Sequence, residues 1–159
     1  MTDTPVLGVT TTAAFNDYFA QEAARDRRRA ELLPANKAVV FDALASAGIV
    51  QVVVVFDGCG DSGQIESTDA QDAAGEVALP DVAVEIASPS YADDSIDHHT
   101  LPLAEAIETM AYDLLSSTHG GWENNDGAYG EFTFDVATRV ILLDHNDRYV
   151  AIESYSHEF

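Results

Sequence analysis

Residues 49–56 read Ile-Val-Gln-Val-Val-Val-Val-Phe, and only Gln51 interrupts the apolar run. Four successive valines favour a strand over a helix, because branched side chains are stiff at χ1 and fit a pleated surface. The run lacks the two-residue alternation of a strand with one wet face, so burial on both faces is expected. Asp57-Gly58 stops it and opens the stretch Asp57-Gly58-Cys59-Gly60-Asp61-Ser62-Gly63-Gln64-Ile65-Glu66. Glycines there allow close backbone approach, so Asp57, Asp61, Ser62 and Glu66 can gather into an oxygen-rich patch. A plain solvated turn explains the same residues, since turns and sites draw on the same residue types.

Two sharper readings of the loop fail on spacing. Residues 59–63 resemble the nucleophile segment of chymotrypsin-like serine proteases, but every histidine of the chain follows Ser62 and residues 64 and 65 depart from that pattern. An EF-hand register started at Asp57 places Cys59, Ser62 and Thr68 where a ligand, a glycine and a glutamate are required. An irregular Ca²⁺ or Mg²⁺ site remains open, because hard cations need only convergent oxygens.

The helices expected around this strand are three. The first starts near Thr11 or Thr12, after a loose lead-in over residues 1–10. It places Phe15, Tyr18 and Phe19 on one side and ends at Pro34. Asn36 caps a second helix reaching about Ala47, with Gly48 as its stop. Thr100 and Pro102 open a third, whose Leu103, Ile107, Met110 and Leu114 form an apolar stripe and which closes at His119-Gly120-Gly121. Residues 67–80 and 87–100 read as exposed loops, the first with a weak strand near Glu76 to Leu79, and between them lies a strand in which Val82, Val84 and Ile86 face the core. His98 and His99 stand beside Asp93, Asp94 and Asp97, but adjacent side chains diverge and no further histidine pair completes a tetrahedral site. Toward the C-terminus, residues 131–135, 140–143 and 149–157 alternate as a three-stranded meander, with Arg139 and Arg148 expected in ion pairs at strand ends. The fold class is therefore α+β: a single domain with a largely antiparallel sheet of about five strands and about three helices packed on one face.

A second glycine-rich acidic stretch, Gly121-Trp122-Glu123-Asn124-Asn125-Asp126-Gly127, follows the third helix. Trp122 is its expected half-buried anchor, and Glu123, Asn125 and Asp126 are oxygen donors. Together with Asp57-Gly58-Cys59-Gly60-Asp61-Ser62-Gly63-Gln64-Ile65-Glu66, Gly130-Glu131-Phe132-Thr133-Phe134-Asp135 and Asp144-His145-Asn146-Asp147, this stretch is similar to a family of small bacterial proteins of unknown function. The resemblance spans residues 37–159. It implies an integral domain and brings no activity with it.

Charge narrows the partners. The 159 residues carry 28 acids against 7 Lys and Arg, a formal net charge of −21, and from residue 38 on only Arg139 and Arg148 oppose the acids. Such a surface repels phosphates and anionic lipid, so direct nucleic-acid or membrane binding is not expected. The arginines at 25, 27, 28 and 29 suit a helix C-terminal end, or form a cationic handle for an acidic partner or the chain's own acidic face. One cysteine, Cys59, excludes an intramolecular disulfide, and neither a signal-like N-terminus nor a membrane-length apolar run is present, which fits the cytoplasm.

Three functions follow as expectations. The first is a non-enzymatic binding or adaptor protein acting on a protein partner through an acidic face, with Asp57, Asp61, Ser62, Glu66, Trp122, Glu123, Asn125 and Asp126 as its binding residues. The second is a hydrolase in which Asp57, Asp61, Glu66 and Glu123 hold Mg²⁺ or Mn²⁺ and His119 or His145 is the general base. The third is a nucleic-acid mimic that occupies the basic groove of a nucleic-acid enzyme. All three require the two glycine-rich loops to meet at one corner.

Overall fold

The computed structural model describes residues 7–159, with side chains from Ala13 onward. Residues 1–6 of the expected lead-in lie outside the described residues, and from Leu7 the chain is already helical. In chain order the elements are α1 (Leu7–Ser46), β1 (Ile49–Cys59), β2 (Ser62–Asp72), β3 (Gly75–Val77), β4 (Ala83–Pro89), β5 (Ile96–Pro102), α2 (Leu103–Thr118), β6 (Ala128–Asp135) and β7 (Val140–Asp147). An antiparallel five-stranded sheet runs in the order β3-β2-β1-β6-β7, and β4 and β5 form a separate two-stranded ribbon. The class is α+β, as the sequence indicates, with β1 at the centre of the sheet.

Among the described residues two helices stand where three were expected, because α1 continues through Pro34. A proline inside a helix removes one N–H and crowds the carbonyl four residues earlier. Here Ala30 and Pro34 both lie on the exposed side, where water can take up the freed carbonyl. Beyond the proline, Val40, Phe41 and Leu44 are fully buried and anchor the helix to the core. Asn36 caps nothing. Its amide instead donates to Ala87 O (2.9 Å) and its carbonyl accepts from Ala87 N–H (3.0 Å), tying α1 to β4.

The core is one cluster. Val52, Val54 and Phe56 of β1, Phe132 and Phe134 of β6, and the apolar stripes of both helices belong to it. Burial alternates along β1: Val52, Val54 and Phe56 are buried, while Gln51, Val53 and Val55 are only half-buried. The expectation of burial on both faces is thereby corrected. The helices cover one face of the sheet and leave the other open.

Residues 67–80, expected as a loop, hold the second half of β2 and all of β3, and residues 87–100 hold the end of β4 and most of β5. Neither β2 nor β5 shows an apolar period, because both are held chiefly by backbone ladders rather than by a buried face. Val84 and Ile86 are buried as expected, but Val82 precedes β4 and is exposed. His98 and His99 pair with Ala87 and Ile86, so their rings point to opposite sides of the ribbon.

The third strand of the expected C-terminal meander is not formed: residues 149–159 are exposed and carry no strand. Just before them, Arg148 N–H donates to Gly127 O (2.9 Å).

Candidate functional site

The two glycine-rich loops meet. Gly60 N–H donates to Asn125 O (3.1 Å), and Asp61 N–H donates to Glu123 O (3.1 Å). Trp122, only 9% exposed, lies across the start of the β1–β2 hairpin and stands edge-on to Phe56, with ring centroids 5.5 Å apart. Gly58 leaves no room for a side chain there, since a Cβ would come within 2.6 Å of the indole. These glycines therefore serve close packing, and the corner is a joint between two loops.

Asp57 is committed within that joint. Arg148 grips its carboxylate with both terminal nitrogens (2.9 and 3.1 Å), donates to Gly58 O (3.2 Å) and Ala128 O (3.4 Å), and lies over the Tyr129 ring at 4.7 Å. The ion pair was expected at a strand end; its role as the tie between β1, β6 and β7 was not. Arg139 likewise pairs with Asp42. Three of the four remaining arginines meet the chain's own acids: Arg25 with Glu22, Arg28 with Asp94 and Arg29 with Asp26.

The other candidate residues divide. Asp61, Ser62, Glu123 and Trp122 border one shallow depression beside Tyr112 of α2. Glu66 sits in β2 at the register shift opposite Val55 and Phe56, receives a hydrogen bond from Gln64 Nε2 (3.2 Å), and does not border that depression. Asn125 takes part through its backbone carbonyl, and Asp126 is exposed. Asp57, Asp61, Glu66 and Glu123 do not form one ligand set: among the described residues no group of three or more His, Cys, Asp or Glu is placed to hold a metal ion. His119 and His145 do come together, with rings stacked 3.6 Å apart. His145 Nε2 is bonded to Asp147 Oδ1 (2.8 Å).

Electrostatics at the corner yield a test. Hydrogen bonds from Arg148, then its charge, hold the Asp57 carboxyl below its ordinary 3.8, against a desolvation that pushes it up. A depressed folded value means that the stabilisation is complete above the unfolded value and is lost as pH falls through the folded one. The stability gap between wild type and Asp57→Asn should be constant above about pH 5 and shrink below about pH 4. The gap should be small, because the pair is solvent-exposed. Urea melts of both proteins across that range check this, and a gap unchanged at about pH 3 contradicts it.

A family model described as "Family of unknown function (DUF6878)" matches residues 32–159. The chain belongs to this family. No curated protein and no solved structure matches it. The DUF6878 segment includes every strand, α2 and the end of α1 from residue 32, so the whole corner lies within it, whereas the arginines at 25, 27, 28 and 29 precede it. Among the described residues no helix is long and apolar enough to cross a membrane.

Two features were missed from the sequence. One is the open face of the sheet. Cross-strand register places Val53 opposite Thr133, which faces Leu142, and Val55 opposite Glu131, which faces Asp144. The other is a cavity between α1, the β4–β5 ribbon and α2, whose lining comes from segments far apart in sequence.

Proposed function

We propose that this DUF6878 member is a binding protein that engages a basic protein partner through the open face of its sheet. The observation that carries this reading is an apolar strip inside an acidic rim. Leu142 (63% exposed), Val140 (50%) and Tyr129 (46%) lie on that face with the half-buried Val53 and Val55. Asp69, Glu131, Asp135 and Asp144 lie on the same face through register with β1 and β6. Exposed apolar residues ringed by polar ones are the anatomy of a protein interface. The carboxylate rim favours a basic partner, speeds encounter and makes association fall with salt. The acidic corner loops border this face through Asp57 and Tyr129, which stand opposite each other.

Affinity capture from native lysate with wild type and Leu142→Ser, combined with hydrogen-exchange mapping of the complex, tests the reading. Protection should fall on β1, β6 and β7, and Leu142→Ser should weaken the partner about tenfold. Protection elsewhere, or capture unaffected by Leu142→Ser, would overturn it. Nucleic-acid mimicry predicts a different result, in which Glu131→Gln with Asp144→Gln abolishes binding while Leu142→Ser leaves it intact.

A further inference from the structure

The cavity between α1, the β4–β5 ribbon and α2 has a volume of about 180 Å³. Its wall is apolar, with Leu33 from α1, Ile86 and Leu101 from the ribbon, and Met110 and Leu114 from α2. An apolar cavity of about 150 Å³ accepts a benzene-sized molecule. The size class of a ligand is thus fixed by the wall, and its charge by the groups at the rim.

Those groups are not equally free. Arg29 donates to Asp26 Oδ1 (2.8 Å), at the same border, and to the Tyr91 hydroxyl (3.3 Å), so its guanidinium is already engaged. Asn36 has both ends of its amide bonded to Ala87. Asp113 differs. No hydrogen bond reaches its carboxylate among the described residues, and Arg29 acts on it only through space. Asp113 is an exposed residue at the cavity border, and partial desolvation there pushes its carboxyl above the ordinary carboxylate range. Thr109 and Ser117, one turn to either side, add hydroxyls to the same border of the cavity.

A carboxylate without a hydrogen-bond partner at the border of an apolar hole suits a ligand with a cationic donor and a compact apolar body. We infer that this cavity binds a small primary amine bearing a benzene-sized group, with the ammonium on Asp113 and the apolar group between Leu33, Ile86, Leu101, Met110 and Leu114. A carboxylate ligand is disfavoured, because Arg29 at the rim is already paired with Asp26 and the unpartnered Asp113 is negative. This site is separate from the open sheet face and does not depend on it.

Phenethylamine, phenethyl alcohol and hydrocinnamate form a series of similar shape with positive, zero and negative charge. Each is titrated into the full chain, with calorimetric heat and the methyl resonances of Ile86, Met110 and Leu114 as readouts. The amine should shift those methyls, and the alcohol should bind at least about tenfold more weakly. Hydrocinnamate should leave them unmoved. Asp113→Asn, a change at a side chain with an exposed edge, should weaken the amine about tenfold or more. Ala30→Trp, at the cavity border, should abolish its binding, while Leu142→Ser should leave it unchanged. The inference is overturned if no cavity methyl moves, if hydrocinnamate binds as well as the amine, or if Ala30→Trp has no effect. It is equally overturned if Asp113→Asn binds the amine as wild type does, which would reduce the effect to general attraction of a cation to an acidic surface.

Discussion

Gly127→Ala should destabilise the protein by about 4 kcal/mol or more, or prevent folding, whereas Gly60→Ala should cost about 1 kcal/mol. Both glycines have positive φ, +76° and +60°, so both substitutions strain the backbone in the same way. They differ in their surroundings. A Cβ at Gly60 meets nothing within 4 Å, while one at Gly127 would overlap the Gly58 carbonyl and lie 2.7 Å from Cys59 Cα. Backbone cannot rotate out of the way, so the two loops would have to part. That motion would put at risk the bonds from Gly60 to Asn125, from Asp61 to Glu123 and from Arg148 to Gly127. Urea unfolding followed by circular dichroism measures both losses. Equal losses would mean that positive φ alone, rather than the contact between the loops, decides these positions.

What the sequence disclosed and what it concealed separate along a physical line. The centre of the sheet was legible because four valines in a row leave little choice but a strand, whereas the meeting of the two loops was required by the functional readings and not decided by the sequence. The second face of β1 was not legible. Val53 and Val55 look as buried in the sequence as Val52 and Val54, and only the absence of a covering layer in three dimensions tells them apart. Pro34 misled for the opposite reason. Its local cost is overridden by tertiary anchoring at Val40, Phe41 and Leu44, which local propensity does not register.

The polar strands and the arginine tie were concealed by distance along the chain. β2 is a strand because β1 and β3 present ladders on its two edges; its own residues give no apolar period. Arg148 reaches Asp57 across 91 positions, and the sequence indicates only that an arginine among so many acids will find one of them. Asp113 is subtler still. On α2 it looks like one more solvated acid, and its place at the border of a cavity walled by α1 and the ribbon cannot be read locally.

Trp122→Ala should cost about 3–5 kcal/mol, because a nearly buried indole is removed from between two backbones and Phe56. Trp122 also makes Gly63 obligatory: a Cβ at Gly63 would overlap the indole and lie 2.9 Å from Glu123 Cβ. Gly63→Ala in the wild-type background should therefore cost about 1–3 kcal/mol through overpacking. In the Trp122→Ala background the overlap with the indole is gone and only the contact with Glu123 Cβ remains, so the same change should cost less. The double mutant should then be more stable than the sum of the single losses predicts, by about 1 kcal/mol or more. Because Trp122 is the only tryptophan, the cycle must be followed by circular dichroism rather than fluorescence. Strict additivity would mean that the indole and Gly63 do not touch, and the joint between the loops would then have to be held by the backbone hydrogen bonds and Arg148 alone.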